Sequence, residues 1–289
     1  LKSRSRNSLI DDINEEGTMS ATVREPSVAG AFYPMVAADL ERELDTLVAA
    51  QPERHPLLAC ISPHAGYVYS GGVAGKLFGH LELPRRVVVL GPNHTGAGMA
   101  VAVAPHRQWS TPLGPAKVDR DLAESLVRHS SAAEFDDRAH WREHSIEVQL
   151  PFLMRLRPDI EVLPVCLQHL SADECLGLGA TLAEIVTAVH EPVGIVASSD
   201  MTHYQPDAVA RQLDQLAIDA ALRRDPRELY DTVHREGITM CGVIPATVAI
   251  EAANRLGATD AHLVAYATSG EVSGDVSAVV GYAGICVHE

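Results

Sequence analysis

Three short stretches of this chain hold apolar residues without alternation: Leu57-Leu58-Ala59-Cys60-Ile61, Val87-Val88-Val89-Leu90 behind Arg86, and Val193-Gly194-Ile195-Val196-Ala197. An uninterrupted apolar strand is buried on both faces, which requires helices on both sides of a largely parallel sheet. The sequence between them supplies those helices. Leu40, Leu44, Leu47 and Val48 fall on one helical face. Helical patterns also cover 71–81 (small residues, suited to close packing), 119–129, 145–156, 172–189, 206–235 and 244–257. Further strands read at 99–104, 160–167, 261–268 and 278–287. The alternation predicts an α/β fold: a single domain with a mostly parallel or mixed central sheet flanked by helices.

A length of 289 residues suffices for such a core. Residues 1–19 (Leu1 to Met19) are polar and aperiodic. They read as a disordered leader, with Met19 as a native initiator and the domain spanning 20–289. Lys and Arg number 23 against 38 Asp and Glu, a net charge of −15. No excess of cations exists to displace counterions, so general affinity for nucleic acid or an anionic membrane is not expected. No apolar run approaches the ~20 residues of a membrane span, and no secretory h-region is present. The five cysteines, Cys60, Cys166, Cys175, Cys241 and Cys286, show no C-x-x-C spacing. That fits a reduced, cytoplasmic chain without a disulfide framework.

Each of the three apolar strands runs into a loop carrying a histidine. The first enters Ser62-Pro63-His64-Ala65-Gly66-Tyr67, the second Gly91-Pro92-Asn93-His94-Thr95-Gly96, and the third Ser198-Ser199-Asp200-Met201-Thr202-His203-Tyr204. Open α/β sheets bind ligands at the carboxyl ends of their strands. Imidazole is the commonest protein metal ligand and the side chain best poised for proton transfer near neutrality. One histidine after a strand is ordinarily a loop residue bonded to a carbonyl; three in the same topological position point to a shared site.

A fourth group, His140-Trp141-Arg142-Glu143-His144, matches H-x-x-E-H, an inverted zinc-peptidase motif. That motif needs both histidines on one helical face. Here the helix is expected to begin at Ser145 as N-cap, with Val148, Leu150 and Leu153 buried, which leaves His140 outside. Glu143 and His144 remain candidates for orienting a ligand or for acid/base work. Cys241 precedes a helix whose first turn holds Pro245, where the dipole would lower a thiol pKa. Cys60, Cys166 and Cys286 read as buried strand residues. No G-x-S-x-G, P-loop or post-strand G-x-G-x-x-G is present.

These motifs carry a resemblance. Arg24-Glu25-Pro26 with Ala29-Gly30-Ala31-Phe32-Tyr33-Pro34, Pro63-His64-Ala65-Gly66-Tyr67, Gly91-Pro92-Asn93-His94, Glu143-His144-Ser145-Ile146-Glu147 before Leu150-Pro151, Ser198-Ser199-Asp200 with His203-Tyr204, and Cys241-Gly242 together resemble the Memo family. In bacteria and archaea that family appears as component B of the AmmeMemoRadiSam system. The resemblance covers roughly 24–289 and implies a fold similar to the class III extradiol dioxygenases (LigB-like), ring-cleaving non-haem iron enzymes. It implies His64, His94 and Cys241 as metal ligands, a Cys standing where those enzymes use a carboxylate. His203 becomes the acid/base residue, with Asp200 beside it. Iron as Fe(II) is the metal it favours, with copper next, and Zn is compatible with the same two nitrogens and one sulfur.

Four functions follow from these readings. The first is a metal-dependent oxidoreductase acting on a small molecule or peptide. The second is a non-catalytic module that binds a phosphopeptide or protein partner in the old active-site cleft. The third is a subunit working with a radical-SAM enzyme and other AmmeMemoRadiSam partner proteins. The fourth, a zinc peptidase, rests on H-x-x-E-H alone.

Overall fold

The computed structural model describes residues 23–48 and 54–289; the expected leader, 1–19, lies outside the described residues. The chain runs β1 (Val23–Arg24), α1 (Ala37–Leu47), β2 (His55–Pro56), β3 (Ala59–Ser62), a π-helical turn (Tyr67–Gly71), α2 (Gly72–Gly79), β4 (Leu81–Glu82) and β5 (Arg86–Pro92). It continues through β6 (Val101–Val103), β7 (Gln108–Thr111), β8 (Gly114–Val118), α3 (Arg120–His129), β9 (Ala133–Phe135), a 3-10 turn (Glu147–Gln149), α4 (Leu150–Leu156), β10 (Glu161–Leu167) and α5 (Ala172–Ala188). The last third is β11 (Val193–Ser198), β12 (His203–Gln205), α6 (Asp207–Leu222), α7 (Pro226–Arg235), α8 (Val243–Arg255), β13 (Asp260–Thr268), α9 (Gly270–Ser273) and β14 (Val279–His288).

Twelve strands among the described residues form one mixed sheet, whose main path is β1-β7-β8-β10-β5-β11-β3-β14-β12. Its centre, β10-β5-β11-β3, is parallel. β14 then joins β3, and β13 joins β14, both antiparallel. The α/β class and mixed sheet expected from the sequence are what the chain adopts.

Successive residues of the central strands feed opposite faces, as the two-residue period of a strand requires. Val88 and Leu90 of β5 pack with Leu163, Ile195 and Ala197 beneath α5, α6 and α8. Val87 and Val89 face the other way, toward Cys60, Val196, Leu40, Leu44, Leu77 and Phe152. Both faces of the sheet are therefore core, which is why these strands read as unbroken apolar runs.

Several boundaries differ from the sequence reading. β3 starts at Ala59, because Leu57 N–H instead donates to Glu82 O beside the small β2–β4 pair. The 206–235 pattern is two helices, broken where Arg224 takes φ 55 before Pro226. The hairpin β7–β8 was not expected at all; its core contribution is Trp109, which is buried. No helix among the described residues is long and apolar enough to cross a membrane.

Candidate metal centre

The parallel register places the three histidine-bearing loops side by side. Ser62 of β3 is level with Ser198 of β11, and Leu90 of β5 is level with Ala197. His64, His94 and the Asp200–His203 segment therefore leave the sheet at one edge, the carboxyl end of its strands. Cys241 comes from a different part of the chain, just before α8. It gets close because Gly242 has no side chain: a Cβ there would lie 2.3 Å from Ser198 O and 2.4 Å from Ser199 Cβ.

One ligand-capable atom from each of His64, His94 and Cys241 lies within 4.8 Å of the others. Cys241 Sγ is 3.3 Å from His64 Nε2. The His64 and His94 rings meet edge to face, 5.2 Å apart. His64 is buried; His94 keeps about 33% of its side chain exposed and opens the group to solvent.

Hydrogen bonds determine which nitrogen of each ring is free. Ser198 Oγ donates its one proton to Ser145 O at 2.6 Å and accepts from Gln149 Nε2 at 2.8 Å. Its 2.8 Å contact with His64 Nδ1 is then one in which His64 Nδ1–H donates, which leaves the Nε2 lone pair facing Cys241. On His94 the Nδ1–H donates to Glu143 Oε1 at 2.9 Å, again freeing Nε2. An imidazole anchored through one nitrogen and free at the other is the arrangement that presents a lone pair to a metal.

Glu143 holds more than one ring. Its carboxylate accepts from the backbone N–H groups of His94 at 2.5 Å, and of His144 and Ser145 at 2.8 Å each. Burial acts to raise its pKa, but the His94 hydrogen bond and charge and these amides outweigh burial and hold it at about 2. Burial acts to lower His94, and the same carboxylate more than compensates, so His94 sits above its ordinary value. Burial and the neighbouring His94 and His144 rings push His64 well down, so it is neutral and able to coordinate. His144 stacks on His94 at 4.7 Å and is itself lowered by burial.

Two expectations fail here. Ser145 does not cap a helix. Its Oγ donates to Pro92 O, and a 3-10 turn starts only at Glu147, ahead of α4. The segment 143–146 instead lies across the end of β5, where a Cβ on Gly91 would come within 2.5 Å of Ser145 Oγ. The helix N-terminus also does not lower the Cys241 thiol. Burial and the Asp200 carboxylate push it up, against the Asp200 N–H that reaches its sulfur at 3.3 Å.

Asp200 Oδ1 accepts from the His64 backbone N–H at 2.7 Å, and burial raises the carboxyl to about 6. Asp200 thus braces the His64 loop as well as facing Cys241. His203 is fixed by Thr239, whose Oγ1 accepts from its backbone N–H at 2.7 Å. Its ring Nδ1–H donates to Thr239 O at 2.9 Å, leaving Nε2 free. His203 lies within electrostatic reach of His64 and Asp200. The next residue, Tyr204, has φ 59 and is 77% exposed, a left-handed conformation that costs a non-glycine residue about 1 kcal/mol or more.

His140 is kept out of the group. Its Nε2–H donates to Ala102 O, its Nδ1 faces Cys166 Sγ, and burial drives its pKa down to about 3. The H-x-x-E-H match is therefore not a metal motif: Glu143 and His144 join His94 while His140 belongs to the core. Sequence reasoning quoted Ser198 within a motif without giving it a role, and did not single out Gln149 or Thr239. Nothing in their spacing marks them, because their role depends on tertiary neighbours alone. Arg24 and Glu147 form a buried ion pair. Arg24 also donates to His140 O and, at 2.5 Å, to Glu143 O, so the 24–34 segment locks the Glu143 loop in place.

The family model described as "Memo-like protein" matches residues 24–286. A MEMO1 family protein of Methanosarcina barkeri is 43% identical over 268 residues, covering 92% of this chain and all of that protein. One of Aquifex aeolicus is 42% identical over 265 residues, 91% of this chain and 98% of that protein. Among solved structures, an uncharacterized protein from Escherichia coli K12 superposes with a TM-score of 0.55 at 14% identity, over 80% of this chain and 99% of that one. That likeness is one of fold.

Proposed function

This chain belongs to the Memo-like protein family, and from that premise we propose that His64, His94 and Cys241 hold one metal ion, Fe(II), in an oxidoreductase of dioxygenase-like ancestry. The observation that carries the reading is the pair of anchored rings. Ser198 and Glu143 each accept the Nδ1–H hydrogen bond of one histidine and leave its Nε2 lone pair free; that of His64 lies 3.3 Å from the Cys241 sulfur, and a ligand atom of His94 lies within 4.8 Å of both. The donor set suits such an ion. Two imidazoles and a thiolate favour a borderline or soft transition metal over Mg(II) or Ca(II), and three protein ligands leave positions open for substrate. Copper and zinc accept the same donors; the preference for iron comes from the kinship with ring-cleaving iron enzymes.

Bound there, iron would supply a redox-active Lewis acid. The remaining work falls to the chain's own residues. Glu143 and Ser198 keep the rings oriented. The Asp200 N–H stabilises the sulfur as thiolate. His203, held at Nδ1 by Thr239, carries a proton at Nε2 to and from a substrate entering over the exposed edge of His94. The five free cysteines fit a reducing, cytoplasmic setting. AmmeMemoRadiSam partners, a radical-SAM enzyme among them, are part of the proposal and are tested by co-purification.

The test of the site is anaerobic reconstitution with Fe(II). Stoichiometric iron in the wild type, lost in His64→Ala, is the expected outcome. Failure to bind iron under any loading condition would rule the reading out.

A further inference from the structure

A second group of imidazoles lies at the other end of the sheet. β14 runs antiparallel to β3 and pairs Val287 with Ala59, so His288 sits at the amino end of β3, whereas His64 follows its carboxyl end. β13 pairs with β14 and brings His262 level with Cys286, and β2 contributes His55. One ring nitrogen from each of His55, His262 and His288 lies within 4.8 Å of the other two. The rings of His55 and His288 stack at 4.0 Å, with His262 5.3 Å and 5.2 Å from them. This group shares no residue with the His64–His94–Cys241 centre.

We infer that His55, His262 and His288 form a second metal site, one that takes a divalent ion of the zinc class through three imidazole nitrogens. Two features of the geometry support this. His262 Nδ1 and His288 Nε2 are 3.2 Å apart, close to the ~3.3 Å between two nitrogens bound tetrahedrally to zinc at ~2.0–2.1 Å each. His288 Nδ1–H donates to Glu289 O at 2.8 Å, so its Nε2 lone pair is the one turned inward. Without an ion, His262 Nδ1–H donates to that lone pair. With one, neutral His262 needs only to move its proton to Nε2.

Three nitrogens and no thiolate suit Zn(II) and Co(II) rather than a soft ion, and leave a fourth position for water. Asp260 Oδ2, 4.0 Å from His288 Nε2, adds negative charge beside the site. Access is available: His55 and His288 line a surface cleft of about 440 Å³ that also includes Leu58, Val186 and Pro192. His55 and His262 are only half-buried. The ion would tie β2 to the β13–β14 pair.

Anaerobic titration of the full chain with Co(II) separates the two centres, because only the first has a thiol among its proposed ligands and would give a thiolate-to-metal charge-transfer band. Cys241→Ser is expected to lose that band yet still bind about one Co(II), seen in the weaker d–d bands. The double variant Cys241→Ser/His262→Gln is expected to bind none. The variants are checked for unchanged metal-free melting, and His55→Gln replaces His262→Gln if the latter is misfolded. Zn(II) should raise the melting temperature of Cys241→Ser and not of the double variant. A Cys241→Ser protein that binds no Co(II), or binding untouched by either histidine change, overturns the inference. A wild type without the charge-transfer band counts instead against the thiolate centre and leaves this one standing.

Discussion

His64 Nδ1 donates to Ser198 Oγ at 2.8 Å, and that hydroxyl is turned to receive it because its own proton goes to Ser145 O. The tautomer of a buried histidine is thus set by a serine on the neighbouring strand, one residue beyond the apolar run of β11. Ser198→Ala removes the acceptor while Gln149 keeps its bond to Pro63 O. Metal affinity should fall by about 10–100-fold with the fold retained, as read from competition with a chelator of known strength. Unchanged affinity would mean that Ser198 does not set the tautomer.

Glu143 titrates from an ordinary value of 4.5 to about 2 in the folded chain. A depressed carboxylate contributes stability that is fully present above its unfolded pKa and lost as pH falls through the folded one. Wild-type, metal-free protein should therefore lose about 2–3 kcal/mol from this group between roughly pH 4.5 and 2, the exposed part of His94 keeping the value below the full shift. In Glu143→Gln that part of the pH dependence should disappear from urea titrations. An equally steep acid limb in the variant would show that other carboxylates carry it.

The buried Arg24–Glu147 pair is the structural clamp of the site, since Glu147 also accepts from Ser27 N–H, Val28 N–H and Tyr33 O–H. Glu147→Gln leaves the guanidinium buried without its counter-charge and should cost about 3–5 kcal/mol. The midpoint of denaturant unfolding measures it; a loss under about 1 kcal/mol would contradict the clamp.

His203 is held by Thr239 and is not one of the His64–His94–Cys241 group. His203→Gln should keep wild-type metal content while turnover, once a substrate is in hand, collapses about 100-fold or more. Metal analysis alone gives a first answer: a variant that binds no metal would make His203 a ligand rather than a proton carrier.

Much of this was legible in the chain itself. The three apolar strands, their histidine loops and the sulfur before α8 appear as runs and offsets along the sequence, because a parallel sheet repeats strand then loop. The β7–β8 hairpin was not, since Trp109-Ser110-Thr111 and Pro115-Ala116-Lys117 lack the length and apolar density of a core strand. The start of α4 was misplaced because Ser145 has the residue type of a cap but gives its hydroxyl to Pro92 O. The role of Ser198, the role of Thr239 and the His55–His262–His288 group stay hidden for a different reason. Their partners are distant in sequence, and no periodicity records a contact made only by folding.

X-ray absorption on anaerobically loaded iron protein, wild type beside Cys241→Ser, addresses the thiolate centre most directly. One sulfur and two imidazoles around the iron in the wild type, with the sulfur gone in the variant, is the expected result. An iron that carries no sulfur neighbour in the wild type, or keeps one after Cys241 is replaced, would contradict it.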